Sequence, residues 1–548
     1  MKRYNLSITT LILLLCIIFI LVFEIIINIT PPISRDALIH HLAIPKIWLE
    51  KGFIEIKWAD FSYYPMYINI LYFICLFFNN DILPKYIHLL FGLGTGLLIF
   101  QYLKNHYNKD WALLGLLIFF STPIIIWLST SAYIDLGMTF FIAASMLFYT
   151  KWREGNYNNN RKLYLSAIFM GIAVGSKYNS LIGFFFQNLI LVYYYSKDTS
   201  NDKKAIKYGL IFFIISIATS SPWFIKNFIL TGNPFYPLYN GIFYPLLKPH
   251  IKEVLNFQGY GENKAVAFFT MRELLYGENF FETLTIPIRM FFQGDDQSYQ
   301  YFQGVLNPIL IIFLPFVFLK KKYHKDMSFF ACFSIYFICV AYFTTCKQIR
   351  YITPTLPFLS ILSVCGIRNF LIFLTENKMF SKISKIILIS FIIFLLSLNF
   401  QYLIKRFNLY SPINYITNNE TKSQYLSKHL KHYDSVKFIN ENLPENSKVF
   451  LMFIGRRAYY LNVDYMHEPK FGMNLLNLML KKSMNNENIM VWLESNKITH
   501  ILMRAKIVDK YLNENFSIDD IKKFMNLFNK HAKTIYNKNG YMIWKLIY

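Results

Sequence analysis

A dense group of ionisable residues follows the first long apolar segment of the chain. It consists of Arg35, Asp36, His40, His41 and Lys46. On a helix, Asp36 and His40 would share one face because they are spaced i, i+4, while His41 would point to the side. A carboxylate beside imidazoles at a dry interface can act as a general base. The competing interpretation is structural, a charged cap on a membrane helix that Pro31 and Pro32 end.

The composition indicates that this group lies at a membrane. Of the 548 residues, 55% are hydrophobic and only 16% are charged, which is far more apolar than a soluble chain. The formal net charge of +24 comes from 56 basic and 32 acidic residues. Most basic residues form short clusters between apolar runs and in the C-terminal tail, a pattern that reports topology. A polytopic α-helical membrane protein is predicted, and no nucleic-acid partner.

Eleven apolar segments of the sequence are long enough to cross a bilayer, which takes about 17 to 25 residues. They are residues 6–29, 86–103, 111–129, 134–150, 162–178, 180–196, 208–226, 304–319, 327–345, 351–374 and 384–404. One further run, residues 66–78, is shorter and follows Tyr63, Tyr64 and Pro65, as an interfacial segment does. We expect that run to form a non-spanning helix against the outer face of the membrane.

The distribution of Lys and Arg sets the orientation of these spans. Basic clusters are expected in the cytoplasm together with Lys2 and Arg3, and this holds if residues 66–78 do not cross. The clusters are residues 104–109, 151–162, 197–207, 320–325 and 368–385. The same parity puts outside the first loop 30–85, the turn 129–135, the loop 227–303, the turn 346–350 and all residues after 405. We therefore expect the functional surface to face outward.

After Tyr410 the composition changes to that of a soluble domain. A helix is predicted over residues 434–442, a strand over 448–454, a helix and strand pair within 489–503, and one last strand over 534–547. A small α/β fold is the natural result. The predicted organisation is a membrane domain, residues 1–405, followed by an extracytoplasmic α/β domain, residues 406–548.

Three further ionisable residues fall at the predicted outer face. Asp135 opens one span, Lys177 ends another and Arg350 precedes a third. Ionisable groups at such positions are functional candidates, and two cations at headgroup depth suit a phosphate-bearing lipid. The structural alternatives are a helix N-cap for Asp135 and snorkelling to the interface for Lys177 and Arg350.

These motifs, in this order, resemble the GT-C glycosyltransferases, specifically the bacterial branch similar to protein O-mannosyltransferases and to the aminoarabinose transferase that modifies lipid A. The resemblance rests on RDALIHHLAIPKIWLEKG, SAYIDLG, GIAVGSKYN, SPWFIKNFILTGNPFYP and QIRYITPTLP. It covers about residues 1–360. Such enzymes take a sugar from a polyprenyl-phosphate carrier on the outer face of the plasma membrane, the inner membrane in bacteria. They attach it to a lipid, glycan or protein acceptor.

The resemblance also implies roles for individual residues. Asp36 would deprotonate or orient the acceptor for in-line attack at the anomeric carbon, which inverts its configuration while the lipid phosphate leaves. Arg350 would neutralise that phosphate with help from Lys177, and His41 would bind substrate. Asp135 matches the acidic residue of the second outer loop, which assists at the donor or metal site in some members.

The cofactor and the function class have alternatives at this stage. A single Asp stands at 135, without the second acidic neighbour of metal-dependent oligosaccharyltransferases. A divalent metal therefore stays open, with Asp135 and His40 as its candidate ligands. A multi-pass transporter or a flippase for lipid or polysaccharide is the rival class, since buried charges among several spans serve transport too. A non-catalytic assembly subunit would tolerate the loss of Asp36.

Overall fold

A computed structural model describes residues 7–52, 60–257, 268–319, 325–344, 348–376, 382–467, 476, 480 and 489–548. Within these residues the chain forms 25 α-helices and a five-stranded sheet near the C-terminus. The membrane part begins with α1 (Ile8–Asn28), α2 (Ala43–Lys51), α3 (Tyr67–Phe77), α4 (Leu83–His106), α5 (Lys109–Ser121), α6 (Pro123–Ser129), α7 (Asp135–Glu154), α8 (Asn160–Val174), α9 (Ser180–Thr199) and α10 (Asp202–Thr231).

Six short helices follow α10. They are α11 (Asn240–Phe243), α12 (Pro249–Phe257), α13 (Phe268–Tyr276), α14 (Phe280–Leu284), α15 (Ile286–Arg289) and α16 (Ile309–Ile312). The membrane part ends with α17 (Lys325–Thr344), α18 (Leu356–Glu376) and α19 (Lys382–Tyr410). Short 3₁₀ segments at Leu314–Phe318 and Ile349–Thr355 extend α16 and precede α18.

Six helices among the described residues are long and apolar enough to cross a membrane, namely α1, α4, α10, α17, α18 with its preceding 3₁₀ turn, and α19. The bent pair α5 and α6 would make a seventh. The remaining predicted spans fall on α7, α8, α9 and the short segment Ile309–Phe318. The helical membrane architecture is thus confirmed, whereas the number of eleven spans stays a prediction.

The predicted continuous span 111–129 is wrong in one respect, because it breaks into α5 and α6 with a bend of 69°. Pro123 offers no backbone N–H and disfavours helical geometry at Thr122. The amide nitrogen of Ile124 instead donates a hydrogen bond to the carbonyl oxygen of Val305, at 3.0 Å. A polar group freed by the break is thereby satisfied inside the protein, as the apolar surroundings require.

The run 66–78 forms the helix α3, as predicted. Its 11 residues extend about 16 Å, roughly half of the hydrocarbon thickness of a bilayer. The helix packs against α2 and α4. A helix of this length does not span by itself, and its position against the outer face stays a prediction.

The ends of four helices meet around the C-terminal end of α7, the helix that begins at Asp135. His106 at the end of α4 contacts Glu154 of α7 at 3.2 Å. Asp198 of α9 pairs with Arg153 at 2.7 Å and with Lys325 of α17 at 3.5 Å. Described residues from four of the five basic clusters predicted to be cytoplasmic thus lie together, about 30 Å along α7 from Asp135.

The C-terminal part starts with three helices, α20 (Pro412–Ile416), α21 (Lys422–His429) and α22 (Tyr433–Asn442). The α/β elements after them are β1 (Lys448–Met452), β2 (Asp464–His467), α23 (Ile489–Ser495), β3 (His500–Arg504), α24 (Ala505–Asn515), α25 (Ile518–His531), β4 (Ala532–Lys538) and β5 (Tyr541–Leu546). The strand order is β2-β1-β3-β5-β4, with β2, β1 and β3 parallel and the other pairs antiparallel.

Most of the predicted C-terminal elements are confirmed, but the last one is wrong. The single strand expected over 534–547 is a hairpin, β4 and β5, in which Asn539 and Gly540 have φ values of 54° and 80°. Asn-Gly is the preferred pair for such a turn because both positions need positive φ. The strand β2 and the helices α24 and α25 were not anticipated.

The chain between β1 and β2 docks on the first loop. The amide nitrogen of Tyr459 donates to the carbonyl oxygen of Leu38 at 3.2 Å, and the Tyr460 hydroxyl donates to that of Pro32 at 2.8 Å. Lys46 Nζ donates to the carbonyl oxygens of Tyr459 and Leu461 at 3.1 and 2.6 Å. The residues around Asp36 are therefore held from the C-terminal side as well as by the helices.

Candidate active site

Asp36 lies at the start of a π-helical turn, Ala37–His41, that leads into α2. Its amide nitrogen donates to the hydroxyl of Tyr133 at 3.2 Å. Its carboxylate oxygen Oδ2 accepts a hydrogen bond from Nη2 of Arg350 at 2.5 Å, although 314 positions separate the two residues in sequence. The side chains of Asp36 and Arg350 are 18% and 9% exposed, so the ion pair is largely withdrawn from water.

The electrostatic surroundings keep Asp36 ionised. Burial by itself would raise its pKa, but the nearby charges of Arg350, His40 and Arg35 and the hydrogen bond from Arg350 outweigh burial. The pKa of Asp36 is held well below its ordinary value. Asp36 is thus a carboxylate at physiological pH, and it is a weak base as long as Arg350 stays paired with it.

Arg350 is fixed by several contacts on the 3₁₀ turn that precedes α18. Its Nε donates to the side-chain oxygen of Gln348 at 2.7 Å. The rings of Tyr133 and Tyr351 lie on its guanidinium, each with its centroid 5.1 Å from Cζ. A stacked and hydrogen-bonded guanidinium is the group best suited to hold a phosphate in a defined geometry. These contacts hold Arg350 inward, so the snorkelling interpretation is wrong for it.

Asp135 and Lys177 form a second ion pair beside the first. Asp135 is fully buried as the first residue of α7, and its Oδ1 accepts a hydrogen bond from Lys177 Nζ at 2.5 Å. Its side chain makes no capping hydrogen bond, because the residue before it, Ile134, is the N-cap. The N-cap interpretation is therefore wrong. Lys177 also lies over the ring of Tyr351 at 4.7 Å, so it does not snorkel to the interface.

Asp36 and Arg350 line two separate cavities. The larger one has a volume of about 850 Å³ and is lined mainly by the first loop, the segment before α16 and the end of α19. The smaller one has a volume of about 100 Å³ and is also lined by His40, His41 and Lys177. The ion pair forms a wall that is common to both cavities. Lys177 lines only the smaller cavity.

The two histidines of the first loop differ in their surroundings. His41 is buried, and the side-chain amide of Asn69 lies 3.2 Å from its Nδ1. Burial, followed by the charges of His40, Lys177 and Arg350, holds the pKa of His41 well below its usual value. It is therefore neutral at physiological pH. The ring of His40 stacks on Phe61 with centroids 4.4 Å apart.

The predicted metal ligands, Asp135 and His40, are not brought into a three-ligand cluster by the part of the chain that the structure describes. Asp135 Oδ2 is buried and has no hydrogen-bond partner among the described residues, while Oδ1 is taken by Lys177. A divalent metal at these two residues stays a prediction. One other set of ligand atoms converges at the far side, from His106, Glu154 and Asp326.

Several residues of the larger cavity were not anticipated. They are Trp127, Tyr133, Asp296, Tyr402 and Arg406. Arg406 is buried near the end of α19, with its Nη2 donating to the Tyr410 hydroxyl at 3.1 Å. Arg406 is four residues from both Tyr402 and Tyr410, so the three side chains share one face of α19. That spacing in the sequence would have been a usable signal.

Comparison with known proteins supports the fold. The family model of dolichyl-phosphate-mannose-protein mannosyltransferases matches residues 48–245, which hold Asp135 and Lys177. ArnT from Cupriavidus metallidurans bound to undecaprenyl phosphate is similar with a TM-score of 0.57 and 11% identity, over 98% of each chain. The fold is a GT-C fold. The resemblance to GT-C membrane glycosyltransferases that the sequence motifs suggest is thus confirmed.

A second solved structure agrees. The archaeal oligosaccharyltransferase AglB from Archaeoglobus fulgidus, in complex with an inhibitory peptide and a dolichol-phosphate, is similar with a TM-score of 0.51 and 11% identity. The match covers 97% of this chain and 74% of AglB. A comparison with curated protein sequences finds no match. At 11% identity the two structures establish the fold, while the reaction has to be argued from the site.

Proposed function

We propose that this protein is a membrane glycosyltransferase that moves a sugar from a polyprenyl-phosphate donor to an acceptor hydroxyl on the outer face of the plasma membrane. The observation that carries the proposal is the ion pair of Asp36 and Arg350 in the wall between two cavities. The acceptor is a lipid, a glycan or a protein. The GT-C fold, the family match and the lipid phosphates bound to ArnT and AglB support this class of donor.

An in-line displacement needs the acceptor and the leaving group on opposite sides of the anomeric carbon, with a base near the acceptor and a cation near the leaving group. The acceptor oxygen attacks the anomeric carbon from one side, and the bond to the phosphate oxygen breaks on the other side. The acceptor proton passes to a base, and the negative charge stays on the polyprenyl phosphate. The configuration at the anomeric carbon is inverted. A carboxylate and a guanidinium that both line two cavities match this requirement.

The larger cavity suits the donor. Arg35, Lys405 and Arg406 line it together with Arg350, so cationic side chains exceed the carboxylates of Asp36, Asp295 and Asp296 by one. A phosphate that carries a sugar needs both that charge and the larger volume. The smaller cavity, of about 100 Å³, has room only for the reactive group of an acceptor. Neutral His41 and the Lys177 ammonium line it and would orient that group.

The pairing of Asp36 with Arg350 defines how the base becomes active. In the free protein Arg350 keeps the pKa of Asp36 low, which makes the carboxylate a poor proton acceptor. A donor phosphate competes for the same guanidinium, and Asp36 gains proton affinity when its cation is shared. Asp36 then takes the acceptor proton or orients the hydroxyl. Asp135 holds Lys177 toward the smaller cavity.

The domain assignment belongs to the same proposal. Residues 1–405 would form the catalytic membrane domain, and residues 406–548 would lie outside the cytoplasm. The gathering of basic helix ends at the side remote from Asp135 supports this orientation. The docking of Tyr459 and Tyr460 on the first loop supports a C-terminal domain that shapes the approach of the acceptor.

The experiment is a transfer assay in membranes with radiolabelled polyprenyl-phosphate sugars. Asp36→Asn keeps the shape of the side chain but removes the base, and we expect transfer to fall at least about 100-fold with unchanged expression. The matched control is Asp81→Asn in the same loop, which loses a partly exposed ion pair with Lys422 and should transfer normally. Wild-type turnover by Asp36→Asn would refute the base.

The rival function has a distinct outcome in the same assay. A transporter or flippase would leave the label on the lipid in every preparation, and it would move lipid-linked sugar across the membrane. Absence of transfer from every carrier, with flux that needs the protein, would replace the enzyme by a transporter. A non-catalytic subunit would show neither transfer nor flux.

A further inference from the structure

A polar group in the larger cavity takes no part in the proposed proton transfer. Asp296 Oδ2 accepts a hydrogen bond from the Tyr402 hydroxyl at 2.6 Å and lies 3.8 Å from Nη1 of Arg406. Arg406 also lies on the rings of Trp127 and Tyr410, with centroids at 5.6 and 5.1 Å from Cζ. The Tyr410 hydroxyl lies 3.5 Å from Ser34 Oγ, so this group adjoins the loop that carries Asp36.

Two atoms of this group point to a ligand. Asp296 Oδ1 and Arg406 Nε are both withdrawn from solvent and have no hydrogen-bond partner among the described residues. The Arg406 side chain is only 8% exposed. Buried polar atoms are almost always hydrogen-bonded, and an orphaned acceptor or donor costs roughly 1–3 kcal/mol. Asp296 and Arg406 both line the larger cavity, and an unpaired acceptor and an unpaired donor on two such residues fit a partner that both donates and accepts.

Sugar hydroxyls are such partners, because each one donates and accepts. The tryptophan and tyrosine faces around the two orphaned atoms supply the apolar wall on which a sugar ring packs. A phosphate fits less well, because its ionised oxygens only accept hydrogen bonds and cannot donate to Asp296 Oδ1. The Arg350 side of the cavity has cations that suit the phosphate, with Arg35 lining the same cavity.

We propose that Asp296 and Arg406 form the subsite that recognises the transferred sugar. One ring hydroxyl donates to Asp296 Oδ1, and a neighbouring hydroxyl accepts from Arg406 Nε. Tyr402 positions the carboxylate, and Trp127 and Tyr410 pack against the ring and hold the guanidinium. The inference rests on the proposed function, since it presumes a sugar donor in the larger cavity. It makes these residues the determinants of which sugar is transferred.

The test compares binding of polyprenyl-phosphate sugars with binding of bare polyprenyl phosphate to the purified full-length protein in detergent. In the wild type the sugar should tighten binding. In Asp296→Asn that advantage should fall about 10- to 100-fold, the range for a hydrogen bond to a charged group, while binding of bare polyprenyl phosphate stays the same. Tyr402→Phe keeps the packing of the ring and removes only the hydrogen bond to Asp296. We expect it to reduce the advantage of the sugar by a smaller factor, which would show the same effect in a variant that folds normally.

The matched control is Asp81→Asn. Asp81 pairs with Lys422 at 2.9 Å and lies outside the lining of both cavities. The control should keep the advantage that the sugar confers. Equal weakening of sugar-bearing and bare polyprenyl phosphate by Asp296→Asn would assign the group to the phosphate and overturn the proposal. Unchanged binding of both ligands would overturn it as well.

The same variants are then assayed with deoxy analogues of the donor that the wild type uses. A site built to hydrogen-bond a hydroxyl rejects the analogue that lacks it by several orders of magnitude. We expect Asp296→Asn to lose discrimination against one deoxy analogue in kcat/KM, and Asp81→Asn to keep it. A wild type that binds the sugar but transfers none would refute the proposed function while the binding data still decide the subsite.

Discussion

Replacing Arg350 by Gln should weaken the dependence of stability on pH that Asp36 contributes. In the wild type the pKa of Asp36 is lower in the folded than in the unfolded protein, so the unfolded chain binds more protons. The stability from Asp36 is then fully present above its unfolded pKa of about 3.9 and is lost as pH falls through the folded value. Arg350→Gln removes the cation but leaves the carboxylate largely buried, and burial raises its pKa.

The pKa of the variant carboxyl then rises toward its value in the unfolded protein, because only His40 and Arg35 remain to oppose burial. The stability that Asp36 contributes above its unfolded pKa, and that is lost as pH falls, becomes smaller by the same amount. Breaking a buried ion pair by removing one partner costs about 3–5 kcal/mol, and the 18% exposure of Asp36 argues for the lower end. About 3 kcal/mol corresponds to roughly two pKa units.

The assay is thermal unfolding of the purified protein between pH 2 and pH 8, together with kcat/KM for transfer near neutral pH. The wild type should lose stability as pH falls below about 4, Arg350→Gln should lose less over the same range, and its transfer should fall about 100-fold or more from the lost phosphate contact. Lys422→Gln is the control, because its partly exposed pair with Asp81 contributes under about 1 kcal/mol. Wild-type slopes of stability against pH in Arg350→Gln would refute the reasoning.

Two further predictions concern the neighbours of the pair. Lys177→Met leaves the carboxylate of Asp135 buried without its cation and should lower the free energy of unfolding by about 3–5 kcal/mol. The double variant with Asp135→Leu should regain most of that loss, because no buried charge is left. Thermal unfolding of both variants tests this. Lys46→Ala removes the hydrogen bonds that Nζ donates to residues 459 and 461, so amide exchange at residues 455–462 should rise, with unchanged exchange in β5 as the internal control.

The single residues of the site were predictable, but their pairing was not. Asp36, Asp135, Lys177 and Arg350 stand out because each is ionisable and flanks an apolar run. The spacing of 314 residues between Asp36 and Arg350 carries no information about their contact, which depends on how α18 packs in the bundle. The local spacing was right only in part: Asp36 and His40 do line one cavity, but His41, expected to point to the side, lines it too, because the turn is π-helical and not α-helical.

Other features were missed for physical reasons that can be named. Arg406 follows Lys405 just after the predicted span 384–404, where basic residues are easily taken for ones that snorkel. Asp296 lies in a long loop whose fold the sequence does not specify. The break at Pro123 was hidden because the apolar run continues through it, although the proline itself is a sign of a helix end. Hairpin β4 and β5 was merged into one strand although Asn539 and Gly540 mark a turn.

The seam between α6 and the segment before α16 is made by main-chain atoms, the amide of Ile124 and the carbonyl of Val305. Side chains on either side of it can change without loss of that hydrogen bond. Val305 and Trp127 both line the larger cavity, so its outline is encoded in the backbone while its lining is open to substitution. Such an arrangement allows the side chains that line the larger cavity to be substituted, in evolution or by design, while the backbone around it stays the same.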